Sequence, residues 1–193
     1  DLILQLSKSS IYSTKPPSMQ KLFDGRILHT CKCLTGEGRL INKLWLHQLL
    51  TRLVAQRSTD FVGIGVIAYR TIENLPVVPL GSRLNADKGL PISGTDDVFK
   101  VLAMLATRGS SMHDGFHLIE AKSGDLTHIA QFVSPPLDVA LANPLAVWPQ
   151  GARQMTAKLI STLPQVEAAA VISAEGYIHI YKNGFEDTIG EIQ

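Results

Sequence analysis

Apolar side chains recur at helical spacing in one early stretch and fill a short continuous run soon after it. In INKLWLHQLLTRLVAQ (41–56), leucine and valine recur every three or four residues, which predicts an amphipathic helix. Arg52 and Arg57 follow near its C-terminal end, where positive charge suits the helix dipole. FVGIGVIAYR (61–70) is apolar almost without interruption, as in a strand covered on both faces. We therefore predict a helix that packs on a sheet, with this run as a middle strand.

The following stretch reads as a long loop and then a helix. Residues 71–94 are rich in Pro, Gly, Asn and Ser, which predicts an ordered loop with room for one short strand. Residues 94–110 predict a helix that begins at a cap on Ser93 or Thr95. Acidic residues in its first turn and the Arg-Gly pair at 108–109 fit its two ends.

Two hairpins and one further helix complete the pattern. DGFHLIEA and LTHIAQFV are strand-like runs joined by a short SGD connection, which predicts a hairpin. A proline-punctuated connection leads to a helix over 152–163, and a second hairpin follows with its turn at 174–176. The fold class expected is α/β, an α+β mixed sheet with helices packed on both faces. We expect an N-terminal arm over 1–40 and one domain over 41–193.

Composition and charge narrow the class of protein. With 45% hydrophobic and 18% charged residues the chain is typical of globular proteins, and no segment approaches the roughly 18 apolar residues of a membrane span. The net charge of +1 gives no overall attraction to nucleic acid, although residues 1–60 hold nine Lys/Arg against four Asp/Glu. Cys31 and Cys33 stand alone in CKC and are expected to be free thiols, which favours a reducing, cytoplasmic setting.

Three spots bring polar side chains to the ends of predicted elements. Asp114 beside Gly115 suits a ribose hydroxyl, and the same pair also occurs in ordinary turns. Helix-start amides after Gly151, with Arg153 and Thr156, suit a phosphate, whereas the alternative is a surface arginine. The third spot is the Ser173–Gly176 turn, and its polar residues also suit a simple turn. His113 and His117 would lie on one strand face about 13 Å apart, too far to share a metal unaided, and no metal site is expected.

Taken in order, these stretches resemble the diadenylate cyclase (DAC) domain of the DNA-integrity scanning protein and its membrane-bound relatives. In that family an Asp-Gly-Ala motif opens a strand, a Gly-Thr-Arg-His-Arg motif opens a helix, and a Val-Val-Ser-Glu-Glu strand follows. The resemblance covers about residues 94–185. The residues it implies in nucleotide binding are Asp114, Gly115, Phe116, Gly151, Arg153, Ser173 and Glu175, and Thr156 beside Arg153 joins them as a candidate phosphate contact.

The resemblance implies a DAC-like fold with an ATP site formed by these loops. Active members join two ATP molecules into cyclic di-AMP with a divalent metal, across a dimer, and Asp114 would then be catalytic. Here Gln154 and Met155 replace the His and the second Arg, and Phe116 replaces Ala. Phosphoryl transfer depends on positioning and charge neutralisation, so these changes favour binding over catalysis.

The leading hypothesis from the sequence is therefore a divergent DAC-like domain that binds a nucleotide or nucleotide-derived signal as a sensor. One alternative is an active cyclase that uses Mg²⁺ or Mn²⁺ with ATP and takes its missing cations from Arg83 or Lys88. The other is an interaction domain with a closed pocket and a basic N-terminal region that binds a partner. A nucleotide ligand is expected and nucleic acid or membrane is not, while the identity of the ligand and a homo-oligomeric state are left open.

Overall fold

The computed structural model describes residues 43–81, 89–143 and 146–187. The predicted arm over 1–40, Cys31 and Cys33, and the loop residues Arg83 and Lys88 lie outside the described residues. In chain order the elements are α1 (Lys43–Ala55), β1 (Ile64–Tyr69), β2 (Val77–Pro79), α2 (Thr95–Leu105), β3 (Phe116–Glu120), β4 (Leu126–Val133), α3 (Asp138–Leu141), α4 (Ala152–Ile160), β5 (Val166–Ile172), β6 (Ile178–Lys182) and β7 (Phe185–Glu186).

The strands form one mixed sheet in the order β2-β4-β3-β1-β5-β6-β7. β1 pairs parallel with β3, and the other pairings among the described strands are antiparallel. All six residues of β1 are buried, as expected for the central strand of a sheet covered on both faces. The predictions of the fold class and of a middle strand at 61–70 are confirmed.

Helices cover the sheet from two sides. α4 packs on β5, β6 and β1, and α1 packs on α2 and on β5. Ala157 and Ile160 of α4 belong to one buried cluster with Ile67, Phe116 and Leu118 of the sheet. Neighbouring residues of a strand point to opposite faces of the sheet. The buried strand residues that alternate with Ile67, Phe116 and Leu118 therefore need protein packed on the second face as well. No helix in the described ranges is both long and apolar enough to cross a membrane.

The hydrogen bonding between β3 and β4 is interrupted at one point, where the side chain of the buried His117 accepts a backbone hydrogen bond. Phe116 pairs with Gln131 but Leu118 pairs with His128, so β4 carries an extra residue at this point. Ala130 adopts a positive φ of 49°, and its amide donates to Nδ1 of His117 at 3.2 Å. The histidine thus takes the hydrogen bond that the bulge removes from the sheet.

Two details of the predicted helices are wrong. The N-cap of α2 is Gly94, with φ 90°, which has no side chain to cap the helix, and the Thr95 hydroxyl accepts a hydrogen bond from Trp45 Nε1 at 3.3 Å. The helix ends at Leu105, before the Arg-Gly pair, because residues 106–108 turn to bond with α2 and with Asp60. The short helix α3 and the strand β7 were not predicted from the hydrophobic pattern.

Candidate functional site

The predicted polar spots lie at one end of the sheet, which we call the site end. Gly65 near the start of β1 pairs with Phe116 at the start of β3, and Ile64 pairs with Ile172 at the end of β5. The residues just before β3 and just after β5 are therefore neighbours at this end. Strands lie about 4.8 Å apart, so two strand positions separate these loops by about 10 Å.

Gly115 fixes how the chain enters β3. Its φ is +88°, and a Cβ there would lie 2.7 Å from the Gln131 carbonyl oxygen and 2.8 Å from Leu80 Cδ1. A side chain would have to displace the backbone of β4, so glycine is required for both conformation and space. The turn leaves the preceding Asp114 side chain 75% exposed, which makes its carboxylate accessible to a ligand.

Arg153 reaches the same point from a different element. Its guanidinium Nη2 lies 3.7 Å from Asp114 Oδ1 and donates to the His113 carbonyl at 3.4 Å. Both distances are long for a charge-assisted pair, which prefers about 2.7–2.9 Å. Arginine has five N–H donors, and among the described residues this is its one hydrogen bond. The structure therefore brings together two of the three predicted spots and leaves the cation with unused donors.

Burial removes part of the hydration that stabilises the positive charge of Arg153. Burial lowers the pKa of its guanidinium, and the Asp114 carboxylate opposes that shift. A guanidinium stays protonated at neutral pH, so the site end carries a partly desolvated positive charge. Such a charge gains from an anion that offers more acceptors than one distant carboxylate.

His117 is a neighbour of this charge that the sequence did not identify. The imidazole is fully buried, and burial together with the positive charge of Arg153 lowers its pKa to about 3. His117 is therefore neutral at physiological pH, with its acceptor on Nδ1 used by the Ala130 amide. Its Nε2 has no hydrogen-bond partner in the described part of the chain. The expectation that His113 and His117 share a strand face is wrong, because β3 begins at Phe116 and His113 precedes it.

His113 also approaches the Asp114 carboxylate. Its Nδ1 donates to the Ser110 carbonyl at 2.6 Å, and its Nε2 lies 3.6 Å from Asp114 Oδ1. Asp114 is therefore flanked by Arg153 and an imidazole edge, a set that can hold a ligand hydroxyl and an anionic group side by side.

The start of α4 adds backbone donors. Gly151 is the N-cap with an extended backbone (φ −88°, ψ 133°), and no side chain caps the helix. Met155 donates to the Gly151 carbonyl at 2.8 Å, so the amides of 152–154 precede the first helical hydrogen bond. The first turn has no acidic residue, and an arginine there is disfavoured by the helix dipole unless an anion binds. Thr156 is half-buried one turn after Arg153.

The third predicted spot forms a turn that satisfies itself. The Ser173 Oγ accepts the Tyr177 amide at 3.2 Å, and the Ser173 side chain also bonds to the Glu175 carboxylate and lowers its pKa. Gly176 donates to the Ser173 carbonyl at 3.0 Å. The turn lies at the site end, and no contact joins Ser173 or Glu175 to Arg153 among the interactions of the described residues. Their role in nucleotide binding stays a prediction.

Phe116 lies in the core beneath the site. It is 4% exposed, and its ring lies so close to Gly65 that a Cβ there would be 2.8 Å from Cδ1 and Cε1. The ring thus fills the space under the start of β3 and offers little surface for stacking a base.

A metal ion would find few protein ligands here. Within the described ranges, no group of three or more His, Cys, Asp and Glu side chains could hold a metal. Asp114 with His113 supplies two groups at most. Mg²⁺ commonly takes most of its ligands from phosphates and water, so these two groups would be a small part of its ligand set.

Comparisons with known proteins bear on the fold. No protein-family model and no curated protein matches the sequence. A hypothetical membrane spanning protein from Bacillus cereus matches with a TM-score of 0.51 and 21% identity, over 77% of this chain. The chain spans 63% of the length of that protein. A double mutant of DacA from Staphylococcus aureus matches with a TM-score of 0.47 and 14% identity, over 75% of this chain and 83% of that one. The likeness to the Bacillus cereus protein shows a shared fold alone.

Proposed function

We propose that this chain is a divergent diadenylate-cyclase-like domain that binds a nucleotide at the site end and acts as a sensor with weak or no cyclase activity. The ligand's phosphate would take the unused donors of Arg153 and the first amides of α4. The exposed Asp114 carboxylate would accept a hydrogen bond from a ribose hydroxyl.

One observation carries this proposal, namely the approach of Arg153 to Asp114. The two residues are far apart in the sequence, yet their side chains come within 3.7 Å at the site end. Their motifs were paired in the sequence by resemblance to one nucleotide-binding family. If Asp114 lay in an ordinary turn and Arg153 were an ordinary surface residue, nothing would require their side chains to approach each other beside the uncapped start of α4.

The charge of the helix start supports binding over catalysis. Next to Arg153 stand Gln154 and Met155, neither of which carries a positive charge. Losing one preorganised charged donor costs about 3 kcal/mol of transition-state stabilisation, and two losses reduce a rate by about four orders of magnitude if they add. A domain that holds a nucleotide without consuming it is suited to sensing.

A thermal-shift panel tests the proposal. The protein is heated with ATP, ADP, cyclic di-AMP or adenosine, each with Mg²⁺. We expect the phosphorylated ligands to raise the melting temperature and adenosine to raise it less, since a ligand that binds only the folded state stabilises it. Arg153→Ala should remove the phosphate-dependent part of the shift.

Lys122→Ala is the matched control. It removes one exposed positive charge from the β3–β4 connection, at the end of the sheet opposite the site. The control should keep the full shift. Equal losses in both variants would mean that net charge, rather than a site at Arg153, attracts the nucleotide.

A second candidate function is an interaction domain with a closed pocket. The observation that favours it is the burial of Phe116 against Gly65, which occupies the space under the start of β3. Absence of stabilisation by every nucleotide in the panel would favour this candidate. Robust formation of cyclic di-AMP from ATP with Mn²⁺ would instead favour an active cyclase.

A further inference from the structure

A separate cavity of about 550 Å³ lies between β4 and the crossover that follows β1. Its walls include Ile72 and Leu75 of the crossover and Val77 of β2, with Leu90 closing it from the segment before α2. Small-molecule pockets range from about 300 to 1,000 Å³, so the volume suits one compact ligand. We call it the β2–β4 pocket. None of the eight residues predicted to bind a nucleotide lines it.

The polar groups of the β2–β4 pocket are held in place by their own hydrogen bonds. The Thr127 hydroxyl donates its hydrogen to the Leu118 carbonyl at 3.2 Å. The Tyr69 hydroxyl and His128 Nδ1 each lie 2.9 Å from Thr127 Oγ1 and hydrogen-bond with it. The His128 ring packs edge-on against Tyr69.

Gln131 supplies a further fixed polar group. Its Nε2 donates to the Ile129 carbonyl at 2.7 Å, which orients the amide plane. The amide oxygen is then the acceptor that this side chain offers to a ligand with an N–H or O–H group. Gln131 is 3% exposed, so a hydrogen bond to it forms away from bulk water.

The lining favours a neutral ligand. Among the described residues that line the pocket, none is Lys, Arg, Asp or Glu, and most are aliphatic or proline. A charged ligand would lose its hydration here without a lysine, an arginine or a carboxylate in the lining to replace it. This is the reverse of the site end, where a partly buried cation favours an anion.

We infer that the β2–β4 pocket is a second binding site, for a small, neutral, mainly apolar molecule that donates one hydrogen bond to Gln131. The pocket also adjoins the site end. The Gln131 carbonyl lies against Gly115, and Gln131 pairs with Phe116, so an occupant of the pocket contacts β4, the strand against which Gly115 packs.

A titration with indole tests this inference. Indole is flat, neutral and apolar, and it has a single N–H donor. With labelled Ile, Leu and Val methyl groups, we expect saturable NMR shifts at Ile72, Leu75, Val77 and Leu90. Indole-3-carboxylate, the same ring with a negative charge, should bind at least tenfold more weakly.

Neighbouring residues of β2 provide the variant and its control. Val77 lines the pocket, whereas Val78 points away from it and is 55% exposed. Val77→Trp should fill the pocket and weaken indole binding at least tenfold, and Val78→Trp should leave it unchanged. Leu90→Trp fills the pocket from the opposite wall and serves if Val77→Trp does not fold. Arg153→Ala should bind indole normally, so failure of the proposed nucleotide site leaves this test intact.

Three results would overturn the inference. The first is the absence of saturable methyl shifts up to the solubility of indole. The second is wild-type affinity in a folded variant with the pocket filled. The third is equal binding of the neutral and the anionic probe, which would remove the argument from the uncharged lining.

Discussion

Two loops at the site end were both predicted to contact a nucleotide, and the structure gives them opposite character. At the Ser173–Gly176 turn, the serine hydroxyl and the glutamate carboxylate are bonded within the turn. At Asp114 and Arg153, opposite charges lie 3.7 Å apart with long, incomplete contacts. A loop whose polar groups are already hydrogen-bonded to one another gains little free energy from binding a ligand. A partly buried cation with unused donors gains much more, which is why we propose the ligand site at Asp114 and Arg153.

The largest expected effect is at the glycine that shapes the Asp114 loop. Gly115→Ala places a Cβ at positive φ and 2.7 Å from the Gln131 carbonyl oxygen. We expect a loss of about 3 kcal/mol in the free energy of unfolding, from backbone strain and displacement of β4. Urea denaturation followed by circular dichroism measures it.

Gly151→Ala is the matched control for that change. Gly151 has φ −88°, and a Cβ there would meet nothing closer than 3.7 Å. We expect its cost to stay within about 1 kcal/mol, the usual size of an N-cap effect. If both substitutions cost the same, the crowding of Gly115 is not what shapes the loop.

The second effect is a dependence of stability on pH. The unfolded chain protonates His117 near pH 6.5, whereas the folded protein resists protonation down to about pH 3. The unfolded state therefore binds more protons between these values, and stability falls as the pH decreases from 6.5. The contribution of this residue is about 1.4 kcal/mol per pH unit, or about 2 kcal/mol between pH 6.5 and 5.

His117→Gln tests that assignment, because glutamine retains an acceptor for the Ala130 amide. We measure the free energy of unfolding by urea denaturation between pH 5 and 7. Its slope against pH should be smaller in the variant, by the amount that corresponds to about one proton taken up on unfolding. An unchanged slope would show that His117 is not the group whose protonation destabilises the fold.

The third effect concerns ligand affinity. Removing a charge-assisted hydrogen bond costs about 1.5–3 kcal/mol, so Arg153→Ala should weaken the binding of ATP by about tenfold or more. Titration calorimetry measures the dissociation constant. Arg153→Lys keeps the charge but loses the planar fork of donors, and its loss should be smaller.

The smallest effect is expected at the self-satisfied turn. Ser173→Ala removes a hydroxyl already used by the Tyr177 amide and the Glu175 carboxylate. We expect ATP affinity to change by less than about twofold. A loss at Ser173 as large as that at Arg153 would remove the distinction between the two loops.

Hydrophobic periodicity predicted the elements of this fold well, because burial decides both pattern and position. The run at 61–70 is apolar throughout, and β1 within it is the central strand, buried at all six residues. Predictions from local sequence were wrong where contacts between distant residues determine the structure. Thr95 bonds to Trp45 rather than capping its own helix, a contact across 50 residues that no local signal announces.

The candidate site was predictable only in part. The resemblance paired Asp114 with Arg153, and the structure brings their side chains near each other. The role of His117 depends on a bulge in β4 that follows from pairing register, which composition and spacing do not reveal. The β2–β4 pocket likewise depends on how the crossover after β1 packs over β4, so the sequence offered no sign of it.

The most direct test of the central claim observes the Arg153 guanidinium itself during a titration with ATP. In a spectrum of ¹⁵N-labelled arginine side chains, assigned with Arg153→Lys, the Arg153 Nε–H signal should shift saturably with ATP. Adenosine, which lacks phosphate, should shift it far less, and the signal of the exposed Arg108 should stay unchanged. An Arg153 signal that does not move at saturating ATP, or that moves equally with adenosine, would contradict a phosphate contact at this residue.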